Sequence, residues 1–233
     1  MNISPNQLKE AGVHFGNLTW RWNPHMQPYI YQRSKKIYVL DWQKIIASCQ
    51  KLDDYIREWV LEGKTILFLA TKKQTREVIK EQAASCGMPF IVNKWKGGFL
   101  TNFDEIKKKL QELRYLNAFL HKDSFKNLIK KEQVAIQKRK DKLQSIYEGI
   151  VNHERRPNVL FIIGLGREKT ALKEAKKIGI PVIAVCNTNC NPHLVDYIIP
   201  GNDEEKKSIE FFASLMANTI KKIKEVNVAS SPT

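Results

Sequence analysis

Three stretches, KTILFLAT (64–71), VLFIIG (159–164) and IPVIAVC (180–186), are continuous apolar runs, each far short of a membrane span. Runs of this kind are what strands look like when both faces of their sheet are covered. Helical patterns separate them. IYVLD (37–41) reads as a short strand leading into a helix over 42–63, with Ile45, Ile46, Cys49, Leu52, Ile56 and Val60 on one face and Gly63 as its stop. A helix over 73–86 follows the first run, and PFIV (89–92) reads as the next strand. A helix over 167–178 separates the second and third runs; YIIPG (197–201) is a short last strand or turn, and 203–224 a final helix. Alternation of this sort builds a parallel sheet with helices on both faces. Ligands on such folds gather at the carboxyl ends of the strands, here ATKK (70–73), VNKWKGG (92–98), GLGREKT (164–170) and CNTNCNP (186–192).

One segment breaks the alternation. From 102 to 150 there is no strand signal. Phe103, Ile106, Leu110, Leu113, Asn117 and Leu120 follow heptad spacing, and Ile129, Ile136, Leu143 and Ile150 recur every seven residues. The pattern predicts an antiparallel helical (coiled-coil) hairpin with a break near HKDSF (121–125). Residues 102–156 carry fourteen Lys/Arg against eight Asp/Glu, as expected of an arm projecting from the body. The chain divides accordingly into an aromatic, basic segment (1–36), a discontinuous α/β domain (37–101 and 151–225), the inserted hairpin (102–150) and a loose tail (226–233).

The charge balance selects among functions. With 39 Lys+Arg against 24 Asp+Glu the formal charge is +15, a surplus that favours a polyanionic partner. The N-terminus has neither a signal-peptide pattern nor the Arg-rich composition of a transit peptide, so the chain is expected to work where it is made. Four dispersed cysteines, Cys49, Cys86, Cys186 and Cys190, suit a reducing compartment.

GLGREKT invites comparison with a phosphate loop and does not pass it. A Walker loop needs glycine directly before its Lys-Ser/Thr pair, and Glu168 stands there. Lys169 occupies the slot of the third glycine of a dinucleotide fingerprint, and no acid follows about twenty residues on to hold a ribose. The turn is read instead as one that exposes Arg167 and Lys169. Five scattered histidines make no HExxH, Cys186 and Cys190 lack a second pair for zinc, and no serine sits in a nucleophile elbow. No cofactor or metal is expected.

What stands out is aromatic, basic and Asn-rich. NLTWRWNPHMQPYIY (17–31) interleaves Trp20 and Trp22 with Arg21 and Asn23, and QRSKK (32–36) adds Arg33, Lys35 and Lys36. NKWKGGFLTNF (93–103) flanks Trp95 with Lys94 and Lys96, then sets Gly97, Gly98 and Asn102. Cations neutralise phosphates and release counterions. Rings and guanidinium faces stack on unpaired bases, glycines permit close backbone approach, and Asn serves a 2′-hydroxyl. Lys72, Lys73 and the hairpin bases Lys107, Lys108, Lys138 and Arg139 complete the candidate RNA-binding set. Trp20, Trp22 and Trp95 also read as core residues capping the sheet, the commoner role for any single Trp.

AGVHFGNLTWRWNPHMQPYIY, LFLATKK, NKWKGGFLTNF, IPVIAVCNTNCNP and DYIIPGNDE, in that order over residues 7 to 223, resemble the S-two family of small-subunit ribosomal proteins, in its bacterial and plastid form. The resemblance implies a flavodoxin-like, five-stranded parallel sheet with helices on both faces and an inserted helical hairpin. It further implies a non-enzymatic structural role between head and body of the small subunit. The partners it implies are small-subunit ribosomal RNA and neighbouring ribosomal proteins, including in bacteria the large mRNA-binding one, with no membrane and no small-molecule substrate. Asn17, Lys96, Gly164 and Asn187 depart from the family wording; the last two remove acids from the strand ends. NTNCNP and the Lys- and Ile-rich usage lean toward a plastid member in the chloroplast stroma, with a bacterial cytoplasm as alternative. Two other functions stay open: a nucleotide-dependent enzyme of flavodoxin-like or Rossmann type, and a non-ribosomal RNA-binding assembly factor.

Overall fold

The computed structural model describes residues 3–153 and 155–229. It opens with α1 (Pro5–Glu10), started by a capping box in which Ser4 Oγ accepts from Gln7 N and the Gln7 side chain accepts from Ser4 N, with Pro5 in the first turn. Strands β1 (Phe15–Leu18), β2 (Ile30–Ser34) and β3 (Ile37–Leu40) then form an antiparallel sheet in the order β1-β3-β2. This corrects the expectation for 37–41: the strand exists but pairs Phe15 with Val39 and Ser34 with Ile37 instead of entering the parallel sheet. It also gives residues 5–34 the regular structure that their weak periodicity concealed.

Asp41 caps α2 (Trp42–Leu61), its Oδ1 accepting from Gln43 N at 2.9 Å. Ile45, Cys49, Leu52, Ile56 and Val60 are buried on the expected face, Ile46 is half-buried, and Gly63 ends the helix at φ +71°. The parallel sheet follows: β4 (Ile66–Leu69), α3 (Arg76–Ser85) and β5 (Phe90–Ile91), then, beyond the insertion, β6 (Val159–Ile163), α7 (Lys169–Ile178), β7 (Val182–Cys186), β8 (Tyr197–Pro200) and α8 (Lys206–Ala229). Every ladder is parallel and the order is β5-β4-β6-β7-β8, the flavodoxin-like doubly wound order. Right-handed crossovers from β4 to β5 and from β6 to β7 run in opposite directions along the sheet, which puts α3 and α7 on opposite faces; α2 and α3 pack with α8. All residues of β4, β6 and β7 are buried, which is why their sequences read as unbroken apolar runs. Phe68 and Phe161 meet edge to face at 5.2 Å in the centre of this core; truncating either ring to Ala removes about 3–5 kcal/mol.

The insertion folds as α4 (Phe103–Phe119), α5 (Asp123–Lys126) and α6 (Lys130–Tyr147), with α4 packed along α6. Two details differ from the heptad reading. The break at 121–125 carries its own helical turn, and the seam is uneven: Phe103, Ile106, Leu110 and Leu113 are buried, Leu116 replaces Asn117 as the next buried position, and Ile129 is 72% exposed. Ile129 precedes α6 as its N-cap, so it cannot take a seam position. The tail is corrected as well: α8 continues to Ala229, while 230–233 lie outside the described residues. No helix among the described residues is long and apolar enough to cross a membrane.

Candidate nucleic-acid interface

The crevice where this strand order would place a ligand lies between the carboxyl ends of β4 and β6. It is filled from within. Glu168, buried behind Gly164 and Leu165, accepts from both Thr71 N and Thr71 Oγ1, and burial pushes its carboxyl above the ordinary value. Lys72 reaches across to Asp203, donating to its carbonyl at 2.6 Å and pairing with its carboxylate at 3.5 Å. Asn187 Nδ2 donates to the other Asp203 oxygen at 3.1 Å. The N-terminal segment closes the same end of the sheet: Asn17 N donates to Thr188 Oγ1 at 2.8 Å, Asn23 N to Thr188 O at 2.7 Å, and Asn202 N to Val13 O at 2.9 Å. A buried carboxylate and a lysine already paired with Asp203 occupy the place a phosphate cradle would need. Arg167 and Lys169 face solvent, while Glu168 between them faces inward. Among the described residues no cluster of three or more His, Cys, Asp or Glu is placed to hold a metal ion.

The candidate residues fall into three regions of unequal exposure. In the N-terminal module Trp20 is 70% exposed, with the Arg21 guanidinium 4.3 Å from its ring centroid, a ring-and-cation pair that an unpaired base can extend. Trp22 is half-buried against Tyr38, ring centroids 5.2 Å apart. Asn23 is a cap, its Oδ1 accepting from His25 N at 3.0 Å. Arg33, Lys35 and Lys36 sit exposed at the β2–β3 turn, where Lys35 adopts φ +51°. Glycine or asparagine is favoured at such a turn, so a lysine there accepts backbone strain while presenting its charge.

The second region is the 93–102 loop, and its organiser escaped the sequence reading. Glu174 of α7 is buried, and its carboxylate accepts from Trp95 Nε1 (3.1 Å), Gly98 N (2.8 Å), Leu100 N (2.9 Å) and Thr101 N (3.4 Å). Trp95 is thereby fixed inward, 8% exposed and edge to face with Phe99; of its two open roles it takes the core one. Lys94 and Gly97 stay exposed, Lys96 and Gly98 are half-buried, and Gly98 takes φ +85°, a conformation glycine adopts without steric cost. Asn102 is exposed, its N–H closing the loop onto Gly98 O at 2.8 Å. Lys73 is exposed nearby in the chain, whereas Lys72 is occupied by Asp203. The signal for Glu174 was present: it lies three residues after Ala171 and four before Ile178, an acid on the apolar stripe of α7.

On the hairpin, Lys107 pairs with Asp104 at 3.6 Å, Lys108 with Glu105 at 2.6 Å and Arg139 with Glu112. Lys138 is exposed. Surface pairs of this kind contribute about 0–1 kcal/mol and exchange readily for phosphate partners.

Comparison with known proteins places this arrangement. Residues 8–222 match the family model described as ribosomal protein S2. Three similar proteins each carry the name small ribosomal subunit protein uS2. That of Coprothermobacter proteolyticus is 41% identical over 218 residues, covering 94% of this chain and 81% of its own length. That of Petrotoga mobilis is 41% identical over 223 residues, 96% of this chain and 77% of its own. That of Endomicrobium trichonymphae is 42% identical over 219 residues, 94% and 90%.

Proposed function

The chain belongs to the ribosomal protein S2 family, and from that premise we propose that it is a structural constituent of the small ribosomal subunit and acts in translation by holding small-subunit ribosomal RNA. The observation that carries the reading is the match over residues 8–222. The exposed cations of the β2–β3 turn, the 93–102 loop and the hairpin on a chain of charge +15 support it. The RNA-facing set is Trp20, Arg21, Arg33, Lys35, Lys36, Lys73, Lys94, Lys96 and the hairpin bases. Trp22, Asn23, Lys72, Trp95, Gly98 and Asn102 hold the shape behind them. Neighbouring small-subunit proteins are further partners. The parallel-sheet body serves as scaffold for the N-terminal module, which takes in β3, and for the inserted hairpin.

The working location is the ribosome. The plastid reading draws on sequence wording alone, while the three relatives come from bacteria, which favours a bacterial-type ribosome in either compartment. The nucleotide-enzyme reading loses its support because Glu168, Lys72 and Asp203 fill the crevice it needs.

Two measurements test the proposal together. The chain should sediment with small subunits after a moderate-salt wash, and the purified protein should bind small-subunit RNA with log affinity falling linearly with log salt. A chain that stays at the top of the gradient, or binds independently of salt, sinks it.

A further inference from the structure

Of the eleven exposed large hydrophobic side chains among the described residues, five, Phe15, Leu18, Trp20, Tyr31 and Trp42, come from one short stretch. Single exposed apolar residues are ordinary; a concentration of aromatic ones marks a binding surface. Tyr31, 65% exposed, and Trp42, 45% exposed, line a cleft of about 240 Å³ together with His14 and Val39, and Lys9 and Gln32 supply its polar lining. The volume lies below the roughly 300–1,000 Å³ of pockets that enclose whole small-molecule ligands, so a single ring system fits and a complete nucleotide cofactor does not. Burial holds His14 below its ordinary value against a hydrogen bond from its ring to the Leu8 backbone, so the neutral ring keeps one nitrogen free as an acceptor, while the Gln32 amide offers both a donor and an acceptor. From residue 3 to residue 42 the chain has five Lys/Arg and two acids, Glu10 and Asp41, a surplus that attracts a polyanion.

We propose that this cleft receives one unpaired base of small-subunit ribosomal RNA, stacked on Tyr31 and Trp42, its edge read by Gln32 and His14 and its phosphate met by Lys9. The proposal rests on the ribosomal reading above and adds a base site to it.

The test uses the full chain and a small-subunit RNA transcript. Tyr31→Ala and Trp42→Ala should each lower affinity about five- to hundredfold, the range expected for losing one base–aromatic stack. The salt slope should stay unchanged, because no phosphate contact is removed. Tyr31→Phe should bind like the unaltered chain, and ultraviolet cross-linking of the unaltered complex should attach RNA at Tyr31 or Trp42, a readout independent of any variant's folding. If the unaltered chain binds and both alanine variants bind equally well without cross-links in the cleft, the base site is refuted and the ribosomal role stands. If RNA affinity holds but entry into subunits is lost, a protein side chain fills the cleft and the proposal is overturned. An unaltered chain that binds no RNA removes the ribosomal reading itself.

Discussion

Glu174 shows how one side chain can set the geometry of a surface it does not reach. Four donors converge on a carboxylate with almost no access to water. Its charged form is therefore matched to the 93–102 loop, and an amide in its place turns an NH₂ toward at least one of those donors. Glu174→Gln should destabilise the fold by about 1–3 kcal/mol, the cost of leaving a buried polar group unpaired. Hydrogen exchange at the Gly98 and Leu100 amides should accelerate while β6 stays protected; unchanged exchange in the loop would show that Trp95 and Phe99 hold it without the carboxylate. The residue was legible as an anomaly, an acid on an apolar stripe. Its partners were not, because a sequence separation of more than seventy residues leaves no local trace. Lys72 teaches the converse: the lysine was visible, but Asp203, which occupies it, could not be inferred.

The elements differ in how much of themselves they declare. β6 and β7 are buried on both faces, so every residue is apolar and the strand is evident from sequence alone. β1 and β2 bury one residue between them, and a strand that is mostly wet shows neither a run nor a clean alternation. β3 reads as a strand, but nothing in its four residues says which sheet it joins. The hairpin was legible by spacing, yet the spacing overstated its grip. α4 contributes five buried residues and α6 only Tyr147, so the outer half of the arm is weakly held while its base belongs to the core. Replacing residues 115–140 with a short linker should leave the melting temperature within a few degrees. It should flatten the salt dependence of RNA binding, because seven Lys/Arg and two Asp/Glu leave with it. A salt slope that does not change would take the arm out of the RNA contact.

At the scale of the whole molecule, buried titratable groups make stability depend on pH. Burial depresses both His14 and His153 below 6.5, so between those lowered values and 6.5 the unfolded chain binds more protons than the folded one. Stability is then full above 6.5 and declines as pH falls through the folded values. Glu168 acts with the opposite sign: raised above 4.5, it favours the fold most at pH below 4.5 and less as pH rises through its folded value. Urea midpoints should accordingly drop from pH 7.5 to pH 5.5. The drop should shrink when His14 and His153 are both replaced by Gln; an undiminished drop would assign it to other groups. The clasp between the first forty residues and the far end of the parallel sheet has a different consequence. Asn17 and Asn23 anchor on Thr188, and Val13 on Asn202, across separations of some 165 to 190 positions. On a translating ribosome the segment holding Val13, Asn17 and Asn23 must therefore wait, undocked, until Thr188 and Asn202 have emerged. A product terminated before those residues would carry the cations without the frame that aims them.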